Sequence, residues 1–191
     1  MPDTPMPTQT VRPRKSMPVS LNHLVLNVRD LEASHRFYTE VVGLAFVGQL
    51  SPRPERPNPN KMRFYSRDHG NGRTTHHDLA LVENKNLPGT DGPHAVAHVA
   101  FAYADRETWL AQLAHVQALG VTFDRRIEHG MTHSLYIRDP DGYGVELLYE
   151  LPREMWEGDL DSALNYIKSL PTEGPAALED HPENAPVFKG R

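Results

Sequence analysis

The chain of 191 residues contains no cysteine. Disulfides, thiolate metal centres and a cysteine nucleophile are therefore excluded. It also lacks any apolar run near the roughly 20 residues that a bilayer crossing needs. Its first residues carry no apolar stretch of a secretory leader. Basic residues are sparse: 20 lysines and arginines stand against 25 acidic residues, giving a net charge of -5. The cationic stripe that a nucleic-acid partner would demand is missing, and Arg12, Arg14 and Lys15 are too few and too interrupted by proline to supply one. Neither nucleic acid nor a membrane is expected as a partner, and a soluble cytoplasmic protein is the expectation.

Apolar residues are also scarce, at 38%, and the two ends explain the deficit. Residues 1–19 are rich in proline, threonine and basic residues without apolar periodicity, while residues 171–191 are acidic and proline-rich. Such segments bury too little apolar surface to offset the entropy of ordering them. The expected layout is a flexible N-terminal arm (1–19), one domain over 20–150, and a C-terminal extension over 151–191.

What is abundant is histidine, eleven in all, and two of these sit in a repeated pattern. Leu21-Asn-His23-Leu-Val-Leu-Asn-Val28 is followed by Asp30 and a helical stretch, and Val96-Ala-His98-Val-Ala-Phe-Ala-Tyr103 by Asp105 and another. The same interval separates His23 from His98 and Asp30 from Asp105. Each unit reads as a strand, an aspartate N-cap and an amphipathic helix. Leu31, Phe37, Tyr38, Val41 and Val42 make the apolar face of the first helix. Trp109, Leu110, Leu113, Val116 and Leu119 make that of the second, with Gly120 as its stop. Three strands are then expected in each unit, about 44–50, 61–66 and 77–83 in the first and 121–127, 133–138 and 144–150 in the second. Turn residues separate them: Pro52 to Pro59, Asp68 to Gly72, and Asp139-Pro-Asp-Gly142. The fold class is α+β: two paired βαβββ modules, about 20–84 and 95–150. Each is too small to be stable alone, so they should share a core and line a common cleft. Asp159 is placed to N-cap a further helix to about Leu170, with Leu160, Ala163, Leu164, Ile167 and Leu170 on one face. That helix is a candidate either for covering the cleft mouth or for a subunit interface, and the oligomeric state is left open.

The N-H-L-V-L opening, the F-Y-x-x-x-x-G-L segment and the closing D-P-D-G-Y-G-V-E-L resemble the vicinal oxygen chelate superfamily, which includes glyoxalases, bleomycin resistance proteins and dioxygenases. THHDLALVE, AHVAFAYAD and EHGMTHSLYIRDPDGYGVELLYE are most similar to the catalytic module of extradiol (catechol 2,3-) dioxygenases, in their one-domain form. The resemblance covers about residues 20–150. It implies that His23, His98 and Glu146 ligate one metal, the two-histidine, one-carboxylate set typical of non-haem Fe(II) oxygenases. Mn(II) suits the same donors. It further implies a small aromatic diol and dioxygen as substrates, His77 as the acid–base residue near the oxygen site, and Tyr136 as a hydrogen-bond partner of a substrate oxygen. His129 and His133 match pocket histidines, His129 the better of the two.

Two other classes compete. A glyoxalase-like isomerase or lyase also needs a metal but uses a fourth protein ligand from the first unit; aligning LALVE with ELLYE sets Leu79 opposite Glu146, and leucine cannot ligate. A non-catalytic module that binds a small antibiotic would generally lack the full His23–His98–Glu146 set.

Overall fold

The computed structural model describes residues 20–67, 76–88 and 94–189. The expected N-terminal arm and the Asp68–Gly72 turn lie outside the described residues. The first unit runs β1 (Leu24–Val28), α1 (Leu31–Arg36), β2 (Ala45–Gln49), β3 (Met62–Ser66) and β4 (Leu79–Glu83). The second runs β5 (His98–Ala102), α2 (Arg106–Ala118), β6 (Arg125–His129), β7 (Thr132–Arg138) and β8 (Gly144–Glu150). The sheets are ordered β1-β4-β3-β2 and β5-β8-β7-β6-β9, where β9 (Ile167–Leu170) follows a short α3 (Leu160–Asn165). The first strand of each unit pairs in parallel with its last, and the remaining pairs are antiparallel. This is the expected α+β architecture of paired βαβββ units. Among the described residues, no helix is long and apolar enough to cross a membrane.

The aspartate caps form as expected. Asp30 accepts from the backbone N–H groups of Glu32 and Ala33, and Asp105 from that of Thr108. Each satisfies donors that the first helical turn leaves unpaired. After Arg36 the first helix loosens into a π-helical turn (Phe37–Val41), which turns Phe37 and Tyr38 into the core. One apolar core spans both units. It includes Leu26, Tyr38 and Leu81 from the first, and Trp109, Leu113 and Leu147 from the second. Leu119 departs from expectation and is exposed, because Gly120, at φ +71°, ends the helix just beyond it. The strand expected at 121–127 starts later, at Arg125, since Val121 is spent closing the helix end through its N–H to Val116 O.

The Asp139-Pro-Asp-Gly142 turn does more than reverse the chain. Asp141 receives the backbone N–H and the guanidinium of Arg29, the latter at 2.9 Å, and Asp139 receives the Tyr38 hydroxyl at 3.0 Å. The turn thus clasps the first unit to the second. Burial pushes the Asp139 carboxyl up to about 6, against the lowering effect of these hydrogen bonds.

The C-terminal region differs most from its expectation. The helix expected over 159–170 stops at Asn165; Tyr166 turns extended and Ile167–Leu170 add a fifth strand beside β6. The edge of β6 would otherwise leave its backbone groups unpaired, and buried Glu128 draws the segment in by accepting from Tyr166 Oη and Lys168 Nζ at 2.8 and 2.9 Å. Residues 171–189, expected as a tail, form a strap across the second unit. The Arg126 guanidinium donates to the carbonyls of Pro171, Ala176 and Glu179. Asp180, 2% exposed, receives His133 Nδ1, Tyr149 Oη and Arg106 Nε at 2.7, 2.6 and 3.2 Å. Composition could not reveal this, because the anchors are single residues rather than an apolar stretch.

Candidate metal centre

Side chains alternate between the two faces of a strand, so the register fixes which residues can meet. In the second sheet, His98 lies across from Gly144 and Ala100 across from Glu146. His98 and Glu146 therefore share the face turned away from the core. His98 Nε2 stands 3.1 Å from Glu146 Oε2. On the same row of the sheet, Tyr136 pairs with Glu146 and Arg125 with Tyr136. The Tyr136 hydroxyl donates to Glu146 Oε1 at 2.8 Å, and His129 Nε2 lies 3.1 Å from that hydroxyl. Both carboxylate oxygens of a buried glutamate are thus engaged, one by an imidazole and one by a phenol. Burial, then the Glu146 hydrogen bond and charge, push the Tyr136 hydroxyl well above its usual range, so it stays a donor at neutral pH. Burial holds the His129 imidazole below its usual value, partly opposed by the Glu146 charge. Gly144 leaves room for this geometry: a Cβ there would fall 2.5 Å from Ala97 O and 3.0 Å from His98 Cβ. That requirement was not read from the sequence, though the glycine stands in its closing motif.

His23 is placed elsewhere. It precedes β1 on the first sheet, its ring 4.4 Å from that of His77 and 6.2 Å from that of His76. His76 and His77 approach at 2.8 Å between their Nδ1 atoms, and Phe64 packs 5.0 Å from His77. Burial, then the neighbouring His23 and His76, lower the His77 pKa. The structure therefore gathers His98, Glu146, Tyr136 and His129 in one cluster and His23 and His77 in another. Among the described residues, no three histidine, aspartate or glutamate side chains form a metal-holding group.

Two residues depart from their sequence alignment. Leu79 is not the counterpart of Glu146: Leu24 pairs with Leu79 and Val25 with Ala80, whereas Val99 pairs with Val145 and Ala100 with Glu146. The counterpart is Ala80. A shift of one residue moves a strand's side chains to the other face, and Leu79 lies in the core. Alanine cannot ligate either, so the absence of a fourth donor at that position stands. His133, matched to a pocket histidine, is adjacent in register to Glu128 and faces the core, fully buried and bound to Asp180. It lies on the side of β7 opposite Tyr136.

The donor types suit a divalent metal. Neutral imidazoles and a carboxylate, with the carboxylate's other oxygen held by a phenol, are what such an ion takes from a protein.

Comparison with known proteins names the family. Residues 20–147 match the model described as Glyoxalase/Bleomycin resistance protein/Dioxygenase superfamily, and the chain belongs to it. It is 28% identical over 146 residues to a lactoylglutathione lyase of Schizosaccharomyces pombe and 26% identical over 150 residues to a catechol-2,3-dioxygenase of Bacillus subtilis. These alignments cover 67% and 77% of this chain but only 46% of each relative. A biphenyl-2,3-diol 1,2-dioxygenase of Rhodococcus globerulus is 32% identical over 141 residues, covering 72% of this chain and 64% of that protein. Among solved structures, a glyoxylase/bleomycin resistance protein/dioxygenase domain from Frankia shares the fold, with a TM-score of 0.56 at 20% identity, over 71% of this chain and 100% of that one.

Proposed function

We propose that the chain is an Fe(II)-dependent extradiol dioxygenase, which opens a catechol-type ring beside its two hydroxyls and places both atoms of dioxygen in the product. The observation that carries this reading is the pairing of His98 and Glu146 with Tyr136 on the carboxylate's second oxygen. Two imidazoles and one carboxylate leave coordination positions free for a bidentate substrate and oxygen. Ala80, standing where a fourth donor would be needed, favours that open sphere over the closed one of a lyase.

The third donor in this reading is His23 of a second copy of the chain. Within one chain His23 stands with His76 and His77, while His98 and His23 both face outward. A two-fold pair of chains would exchange these faces reciprocally and create two equal sites. His98 and Glu146, with His23 of the second copy, would hold an iron ion that would supply Lewis acidity toward the substrate and redox chemistry toward dioxygen; Mn(II) fits the same donors. The protein residues do the rest. Tyr136 fixes Glu146 and presents its oxygen to a substrate hydroxyl. His129 borders the pocket beside Tyr136. His77, travelling with His23, takes a proton from the substrate hydroxyl and returns it to the product side, as an imidazole can near neutral pH.

The test is anaerobic loading with Fe(II), followed by oxygen uptake with a panel of catechols. One dioxygen consumed per catechol, with a coloured ring-opened product, is expected. Metal-dependent turnover of a glutathione hemithioacetal without oxygen consumption would overturn the proposal in favour of a lyase.

A further inference from the structure

We infer that Arg125 makes this site selective for ring substrates that carry a carboxylate-terminated side chain. The inference rests on the dioxygenase reading for the ring and adds the class of substituent. Arg125 shares the row Ala100–Glu146–Tyr136–Arg125 across the second sheet, on the face of the candidate centre. Adjacent strands lie about 4.8 Å apart, so its backbone stands roughly 10 Å from that of Glu146. Its guanidinium leans over the Tyr136 ring, 4.3 Å from the ring centre, and so stands one phenol's length plus one hydrogen bond from the Glu146 carboxylate. That span suits a ring bearing a short side chain.

Among the described residues no carboxylate pairs with Arg125. Its neighbour Asp124 is bound to Arg138 at 2.8 Å, and Glu128 faces the core with Lys168 and Tyr166. Between the cation and the metal donors stands the Tyr136 ring, and the next row on this face runs Leu148–Ser134–Ile127. The face thus grades from metal-binding, through aromatic, to cationic. A diol head, a ring and an anionic tail match it in that order. The guanidinium fork takes a carboxylate with two parallel hydrogen bonds, while its stacking on Tyr136 fixes its orientation.

The experiment compares 3-(3,4-dihydroxyphenyl)propionate with the uncharged 4-propylcatechol on the iron-loaded protein. The ratio of their kcat/KM values should favour the acid at least about tenfold, fall about 10-fold or more in Arg125→Gln, and be partly restored in Arg125→Lys. A ratio unchanged by Arg125→Gln overturns the inference while leaving the dioxygenase reading intact. Binding of 3-phenylpropionate to the metal-free protein, followed by NMR titration, gives a second readout that needs no turnover. Arg125→Gln should weaken it about tenfold. If no catechol is opened yet this Arg125-dependent binding is present, the dioxygenase reading fails and the anion site stands; if the binding is indifferent to Arg125, the anion site fails.

Discussion

At the scale of single residues, the candidate centre is held by Tyr136 as much as by the donors themselves. Its hydroxyl donates to Glu146 Oε1 at 2.8 Å, and the residue is itself buried. Partners of this kind orient a ligand carboxylate and typically support metal affinity by 10- to 100-fold. Tyr136→Phe keeps the ring and its packing but removes the donor. Isothermal titration should therefore show Fe(II) or Mn(II) binding weakened about 10-fold or more, with an unchanged far-UV spectrum. Binding equal to wild type would mean that Glu146 needs no such support. The repeat singled out His98, and the family resemblance pointed to Glu146 and Tyr136, which the sheet register places beside it. His133 was misassigned because it was matched by resemblance alone; three residues from Tyr136 along one strand, it takes the opposite face. Leu79 failed because the alignment slipped by one residue, and Ala80 is the true counterpart of Glu146.

At the scale of elements, the C-terminal strap steadies the sheet that carries the site. β9 lies against β6, which bears His129 and Arg125, and the strap is pinned at Asp180 by His133, Tyr149 and Arg106. Burial alone would raise the Asp180 carboxyl. The hydrogen bonds from His133 and Tyr149, with the charges of His133 and Arg106, outweigh it and hold the group below the usual carboxylate range. A depressed carboxylate stabilises the fold above its unfolded value, near 3.9, and loses that contribution as pH falls through its folded value. Asp180→Asn should therefore lower stability at pH 7 by about 2 kcal/mol, read from denaturant midpoints. The difference from wild type should shrink below about pH 4, as the native carboxyl protonates. A constant difference across that range would mean that the charge is not what pins the strap. The helices, their aspartate caps and most strands were legible from periodicity and turn chemistry. The strap and β9 were not, since they depend on Arg126, Glu128 and Asp180 meeting partners that are remote in sequence.

At the scale of the whole molecule, the two units join through the Asp139–Asp141 turn and one shared core, yet they leave the imidazoles of His23 and His98 in separate clusters. Sequence periodicity gave the paired units but could not say whether the matching histidines meet within a chain or between chains, because that depends on how the units dock. The direct measurement is Mn(II) binding, followed by electron paramagnetic resonance of the free ion, to wild type, to His23→Ala, to Glu146→Gln, and to mixed assemblies of the two variants purified through two different tags. Wild type should bind one ion per chain and each variant alone should lose the tight site. The mixed pair should regain about one ion per two chains, since one of its two sites then draws both intact halves. Mixed pairs that stay empty, or a single variant that binds as wild type does, would contradict the account.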